Sequence, residues 1–247
     1  MKTLILGDTH GLSTWKRVLE QHPDAGRVIF MGDYFDSFEL SGAEQLYNFN
    51  EIIRFKEETD KEVIMLIGNH DHHYMNVGET YSGYQPAMQF DFNLALKENM
   101  YHLQIAYKLD DILFSHAGIS PVWMDTTYAP MGWSKSTLVE DLNELYKFKP
   151  ALFNFSHLGW DPSGDSVEQG PLWIRPRSLM KSNKGDGGLK NRFIQVVGHT
   201  QVTDIFESFK ATEKAMGGRY YLVDAMPHGG YVVYENGQLT PMKLLED

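Results

Sequence analysis

The chain has 247 residues, 42% hydrophobic and 22% charged, with a formal net charge of −11 and no cysteine. That size and balance suit a globular protein with a sizeable core, and β/α folds of this length often stay a single domain, expected here over residues 1–247. The acidic balance argues against a nucleic-acid backbone as a routine partner, since that needs a basic face, and the missing thiol excludes disulfides, thiolate metal sites and a cysteine nucleophile. An anionic substrate stays open, because bound cations reverse a local field. No run approaches the ~18 apolar residues of a membrane span. The first polar motif also arrives too early for the apolar core of a signal peptide, so no membrane partner and a cytoplasmic location are expected.

Residues 3–6 are an apolar run that ends in Gly7-Asp8-Thr9-His10-Gly11. Ser13 is placed to cap a helix bearing Trp15, Val18 and Leu19, which His22-Pro23 ends. Residues 28–31 form the next apolar run, in a strand expected over 27–31, and feed Gly32-Asp33-Tyr34-Phe35-Asp36. Ser41-Gly42-Ala43-Glu44 has the form of a capping box, opening a helix with Leu46, Phe49, Ile52 and Ile53 on one face. Residues 62–67 then lead into Gly68-Asn69-His70-Asp71. Short apolar runs bounded by glycine suit parallel strands buried on both faces. Right-handed crossovers then bring the three loops to one end of one sheet, where open α/β folds place ligand sites.

Residues 72–85 show no periodicity and read as a loop over that end. Pro86 opens a helix with Met88, Phe92, Ala95 and Leu96, stopped near Asn99. Residues 102–109 and 112–115 read as strands joined at Asp110-Asp111, the second delivering His116-Ala117-Gly118. Leu138, Leu142 and Leu145 mark a helix after Ser134 or Ser136. From 148 to 190 the chain is irregular and reads as a long surface insertion, with Trp160, Trp173 and Gly185-Asp186-Gly187-Gly188. Residues 193–197 form a strand ending in Gly198-His199-Thr200, and 219–223, 231–234 and 239–244 read as strands completing a second sheet. Asn236-Gly237 fits a two-residue hairpin turn.

Asp8-x-His10, Asp33-x-x-Asp36, Asn69-His70-Asp71, His116 and His199 each directly follow a predicted strand. Carboxylates crowded together without a cation would raise one another's pKa and destabilise the fold. A metal accounts for them more economically, and oxygen and nitrogen donors without thiolate suit manganese, iron or zinc.

At these residues the chain resembles the calcineurin-like metallophosphoesterases, and within them the phosphoprotein (serine/threonine) phosphatases with their bacterial and phage-type relatives. The resemblance runs from Gly7 to about Gly230. It implies an α/β fold of two mixed β-sheets packed as a sandwich flanked by helices, four layers α/β/β/α, around a binuclear centre of two divalent ions. Manganese is the expected metal, with iron or zinc as alternatives. Carried over, Asp8 and His10 hold the first ion, Asp33 bridges both, and Asn69, His116 and His199 complete the second. His70 is then the general acid, oriented by Asp36. The implied reaction is attack on phosphorus by a metal-bridging hydroxide while His70 protonates the departing alkoxide of a phosphoprotein or small phosphate ester.

The chain also departs from that pattern. Ser37-Phe38 stands where the family carries Arg-Gly, and Ile67 where an arginine precedes Gly-Asn-His. Between the last two metal histidines lie Arg175, Arg177 and Arg192; Trp173-Ile174-Arg175 resembles a Trp-x-Arg segment of bacterial relatives, which favours Arg175 and then Arg177 for the phosphate. Gln201 stands where many generic metallophosphoesterases have a second histidine. The segment from His116 to Trp123 resembles dinucleoside polyphosphate hydrolases, the second reading, but His10 and Asp36 favour a phosphatase. A non-catalytic scaffold is the third, and no expected ligand is missing for it. His72 and His73 are candidate substrate contacts, though loop histidines are more often simply exposed. His157 and His228 are weaker candidates. Phe153, Phe155, Trp160 and Trp173 suit packing under the insertion better than a substrate lip.

Overall fold

The computed structural model describes residues 1–75, 78–128, 134, 136–157, 161, 165–183, 189 and 192–245. Its first half alternates β1 (Thr3–Leu6), α1 (Thr14–Gln21), β2 (Arg27–Phe30), α2 (Gly42–Glu58) and β3 (Glu62–Leu66). A single helical turn, α3 (Asn69–His72), follows, then α4 (Gln89–Glu98) and strands β4 (Leu103–Gln104), β5 (Ala106–Leu109) and β6 (Ile112–Ser115). The second half holds the short α5 (Pro121–Trp123), α6 (Leu138–Phe148), α7 (Pro176–Ser182), β7 (Ile194–Val197) and α8 (Ile205–Met216). It closes with β8 (Tyr220–Leu222), β9 (Gly230–Glu235) and β10 (Gln238–Lys243).

Two mixed sheets result, ordered β10-β9-β1-β2-β3-β4 and β5-β6-β7-β8. Successive side chains on a strand point to opposite faces, and here both faces are covered. Leu4, Leu6, Val28 and Phe30 pack on the helix side with Trp15, Val18, Phe49 and Ile52. Their neighbours Ile5, Ile29 and Met31 pack between the sheets with Ile112, Phe114 and Val196. Each such side chain, fully buried, stabilises the fold by roughly 1.5–3 kcal/mol before entropy is charged. Among the described residues, no helix is long and apolar enough to cross a membrane.

The capping box forms as expected: Glu44 N–H donates to Ser41 Oγ at 3.3 Å and Ser41 N–H to Glu44 Oε2 at 2.8 Å. Ser13 sits at the start of α1, but its hydroxyl makes no capping bond. Asn236 and Gly237 turn the β9–β10 hairpin with φ of 53° and 81°.

Several expectations need correction. The hairpin belongs to the first sheet, antiparallel to β1, and only β8 of the three tail strands joins the second. The reason is burial: Gly230 to Tyr234 are buried on both faces, which an interior position beside β1 provides. The strand expected over 102–109 is broken at Ile105, where the chain passes from one sheet to the other. Asn143 replaces the ladder there, accepting from the N–H groups of Ile105 and Ala106 at 2.8 and 3.1 Å and donating to Ala106 O at 3.0 Å. The helix α8 lies where no element is predicted, capped by Asp204 and ended by Gly217 at φ 59°. The supposed surface insertion contributes core: Phe153, Leu172, Trp173, Ile174 and Leu179 are all buried. Trp160 and residues 185–188 lie outside the described residues.

Candidate active site

Five strand ends converge. Asp8 and His10 follow β1, Asp33 and Asp36 follow β2, Asn69 and His70 follow β3, and His116 and His199 follow β6 and β7. The loops that present them are locked together. Asp71, wholly buried, accepts from the N–H groups of Asp33, Tyr34 and Gly68 at 2.9, 2.7 and 2.8 Å, tying the second loop to the third. Thr9 and His10 N–H both donate to Asp33 O, at 3.2 and 2.7 Å. Gly68 and Gly198 permit the close approach, since a Cβ on them would stand 2.0 Å from Asp33 Oδ1 and 2.2 Å from Asp8 Oδ1. His10, Asp33, Asp36 and His199 have φ of 43°, 52°, 68° and 61°. Left-handed backbone costs of order 1–3 kcal/mol at a non-glycine residue, and its concentration here marks a site where position outranks comfort.

The ring nitrogens show what the site is shaped to hold. His116 donates Nδ1–H to Met31 O at 2.9 Å, so the Nε2 lone pair faces Asn69 Oδ1 at 2.9 Å and Asp33 Oδ2 at 3.3 Å. His199 Nε2 lies 3.2 Å from Trp173 O, so its Nδ1 lone pair faces the same Asn69 oxygen at 2.8 Å. His10 donates Nδ1–H to Phe35 O at 2.6 Å and turns Nε2 toward Asp33 Oδ2, 3.8 Å away. Lone pairs thus converge on lone pairs, an arrangement that a cation between them satisfies. Asp8, His10 and Asp33 bring one ligand atom each within 4.8 Å of one another, and Asp33, His116 and His199 do the same. Asp33 is common to both groups.

Charge gives the same answer. Burial, then Asp224 and Asp33, push the Asp8 carboxyl well above the usual range. Burial works against charge on Asp33 too, but His116, His70 and His10 outweigh it and hold that carboxylate well below. His199 is kept neutral by burial and by His116, as a metal-binding imidazole must be.

His70 is different. Its Nδ1 meets Asp36 Oδ2 at 2.8 Å, its backbone N–H donates to Asp33 Oδ1 at 2.8 Å, and its ring stands 5.2 Å from His10. Burial lowers its proton affinity, but the Asp33 and Asp36 carboxylates dominate and raise it to about 9. A proton is therefore available on the ring, and only Nε2 is left to present it.

The sequence profile of the calcineurin-like phosphoesterases matches residues 1–211. The chain belongs to this family. The fold is also that of a protein serine/threonine phosphatase from Saccharomyces cerevisiae with similarity to human phosphatase PP5, at TM-score 0.52 and 16% identity. That likeness covers 100% of this chain and 81% of that one. A metallophosphoesterase from Sphaerobacter thermophilus superposes at TM-score 0.45 and 12% identity, covering 100% of this chain and 90% of that one. No curated protein matches the chain.

In this calcineurin-like phosphoesterase the convergent groups open into a cavity of about 660 Å³ lined by Asp8, His10, Asp33, Asp36, Asn69, His70, Arg175 and His199. His116 lies beneath it, fully buried. Arg175 Nη1 donates to His199 O and Thr200 Oγ1, both at 3.2 Å, which holds its guanidinium at the wall. Arg177 is exposed on α7 and is not part of that wall. Arg192 is exposed as well, its guanidinium 5.3 Å from the Phe193 ring.

The neighbouring candidates need correction. His72 and His73 are buried, not exposed in a loop, because α3 and a following 3-10 turn carry them inward. His72 donates Nε2–H to Asn154 Oδ1 and accepts from Tyr146 Oη at Nδ1, both at 2.8 Å, away from the cavity. Trp173 lines the cavity and packs on Tyr81 with ring centroids 4.3 Å apart, while Phe153 is buried behind it. His228 reaches the rim, and His157 lies exposed, 3.9 Å from Glu79. Asp224 is the residue that sequence reasoning missed: buried in the cavity wall, it is raised to about 6 by burial and then by Asp33. Its signal was present, an aspartate directly after the apolar run of β8, as in the other loops.

Proposed function

We propose that the chain is a metal-dependent phosphomonoesterase of the serine/threonine-phosphatase kind. The observation that carries this reading is the pair of ligand groups sharing Asp33, set beside an imidazole whose Nδ1 is taken by a buried carboxylate. Asp8 and His10 would hold one divalent ion and Asn69, His116 and His199 the other, with Asp33 on both. Two such ions, manganese first and iron or zinc otherwise, neutralise phosphoryl oxygens and bring the pKa of water toward neutrality. Asp36 keeps His70 oriented, and His70 Nε2–H passes to the leaving oxygen as the ester bond breaks. Arg175 offers a charged fork to the phosphate.

A single phosphate suits the wall better than a polyphosphate. Among the described residues lining the cavity there is one arginine and no lysine, and Glu39 and Asp224 add negative charge. Dinucleoside polyphosphate hydrolysis therefore ranks second. The deciding experiment strips the protein of metal, restores manganese, iron or zinc in turn, and compares p-nitrophenyl phosphate, a phosphoserine peptide and diadenosine tetraphosphate. Metal-dependent turnover of the monoesters is expected. Preference for the tetraphosphate, or turnover indifferent to metal, would overturn the reading.

A further inference from the structure

His73 belongs to neither ligand group that shares Asp33, yet it is buried against the carboxylate that orients His70. Its Nε2 stands 2.7 Å from Asp36 Oδ2, the same oxygen that His70 Nδ1 meets at 2.8 Å. The side chains of His73 and Asp36 are both 0% exposed. Tyr81 N–H donates to His73 Nδ1 at 3.3 Å, which leaves the ring hydrogen on Nε2, the ring nitrogen in contact with the carboxylate. The other oxygen, Oδ1, takes the Tyr74 hydroxyl at 2.5 Å. The 2.8 Å contact of His70 is a charge-assisted hydrogen bond, whereas His73 Nε2, at 2.7 Å, lies within ion-pair distance of the same oxygen but out of line for a hydrogen bond and has no other partner among the described residues.

We propose that His73 is a positioning residue for the acid: by occupying one side of Asp36 Oδ2 it fixes the carboxylate so that the other side meets His70 Nδ1. This rests on the reading of His70 as the proton donor. Tyr74 and His70 each hold one oxygen, and the buried His73 ring closes the remaining side of Oδ2, so the carboxylate has no room to swing away from His70. Burial alone would raise Asp36, but His70, His73 and Tyr74 together hold it ionised. The arrangement also joins the acid to the cavity lip, since Tyr81 supplies the N–H that sets the His73 tautomer and lines the cavity with its ring.

The test uses the full chain reconstituted with manganese, a phosphoserine peptide whose alkoxide needs a proton, and p-nitrophenyl phosphate whose leaving group does not. His73→Leu keeps bulk and removes the donor; His73→Gln keeps an N–H. His73→Leu should lower kcat on the peptide about tenfold, less than the ~10²–10⁴-fold cost of losing the acid itself, with KM and aryl phosphate turnover little changed. His73→Gln should recover most of that loss. Added to His70→Asn, His73→Leu should cost nothing further, because both act through one proton. Equal losses on both substrates, no recovery by glutamine, or an added loss in the double variant would show a packing role and end the proposal. If His70→Asn is selective for the peptide and His73→Leu is not, His73 alone is refuted. If His70→Asn itself shows no selectivity, the acid assignment falls and this inference with it.

Discussion

Asp33 sits where both ligand groups overlap, and its carboxylate meets three histidines. Neutralising it removes charge at the one point where two cations would share a ligand. Asp33→Asn should therefore lose metal at both positions, and metal analysis returning two full equivalents from the variant would rule out a bridging role. His70 is the opposite case, close to the centre but with its Nδ1 committed to Asp36. His70→Asn should retain both metals and lose about 10²–10⁴-fold on an alkyl phosphate such as phosphoserine, with a smaller loss on an aryl phosphate. Equal losses together with a missing metal would make His70 a ligand. Arg175→Ala should slow turnover with metal content unchanged, since the guanidinium is the one arginine at the described cavity wall; unaltered kinetics would remove it from the phosphate.

At the level of elements, much of this was readable because each signal was local. The runs at 3–6, 27–31 and 62–67 became strands whose alternate residues bury on opposite faces, and the Ser41–Glu44 box starts α2 where its pattern says. What could not be read was set by distant partners. Nothing near 231–243 says that the hairpin pairs with β1, more than 220 residues away in sequence, and nothing near Ile105 announces the Asn143 clamp that lets the strand change sheets. The site shows the same division. Strand-end Asp and His residues were visible, whereas the inward turn of His72 and His73 depends on Tyr146, Asn154, Asp36 and Tyr81. His72 makes that packing testable. Burial lowers its pKa to about 4, below the ~6.5 of the unfolded chain, so the unfolded state binds the proton first as pH falls. Stability from this group is intact above about pH 6.5 and is lost as pH drops toward 4, by at most roughly 3 kcal/mol at 1.36 kcal/mol per unit. Urea unfolding at pH 7, 5.5 and 4 should show that decline, reduced in His72→Gln; identical slopes would mean His72 does not stay neutral in the native state.

The whole molecule carries a net charge of −11 and still gathers Asp8, Asp33, Asp36, Asp71 and Asp224 into its interior around one cavity. The sandwich brings them there because each terminates or follows a strand that the core requires. Such a cluster stores repulsion that bound cations relieve, so metal should stabilise the fold as well as activate it. Ligand occupancy at 100 times Kd adds about 2.7 kcal/mol per independent site, and a melting temperature insensitive to added manganese would contradict this. The metal-free protein exposes the repulsion directly. Asp224 is raised to about 6 in the fold, against about 3.9 unfolded, by burial first and by Asp33 second. A raised carboxyl means that the native state holds its proton longer, so its penalty is absent below about pH 4 and complete above about pH 6. Asp224→Asn removes the titration while keeping the shape. It should therefore stabilise the metal-free protein at pH 8, by at most roughly 3 kcal/mol, and distinctly less at pH 5. Chemical unfolding of both chelated proteins at the two pH values measures the difference. A gain that is the same at both, or a loss at pH 8, would show that Asp224 is held as a favourable anion and that repulsion among these carboxylates is not what the cations relieve.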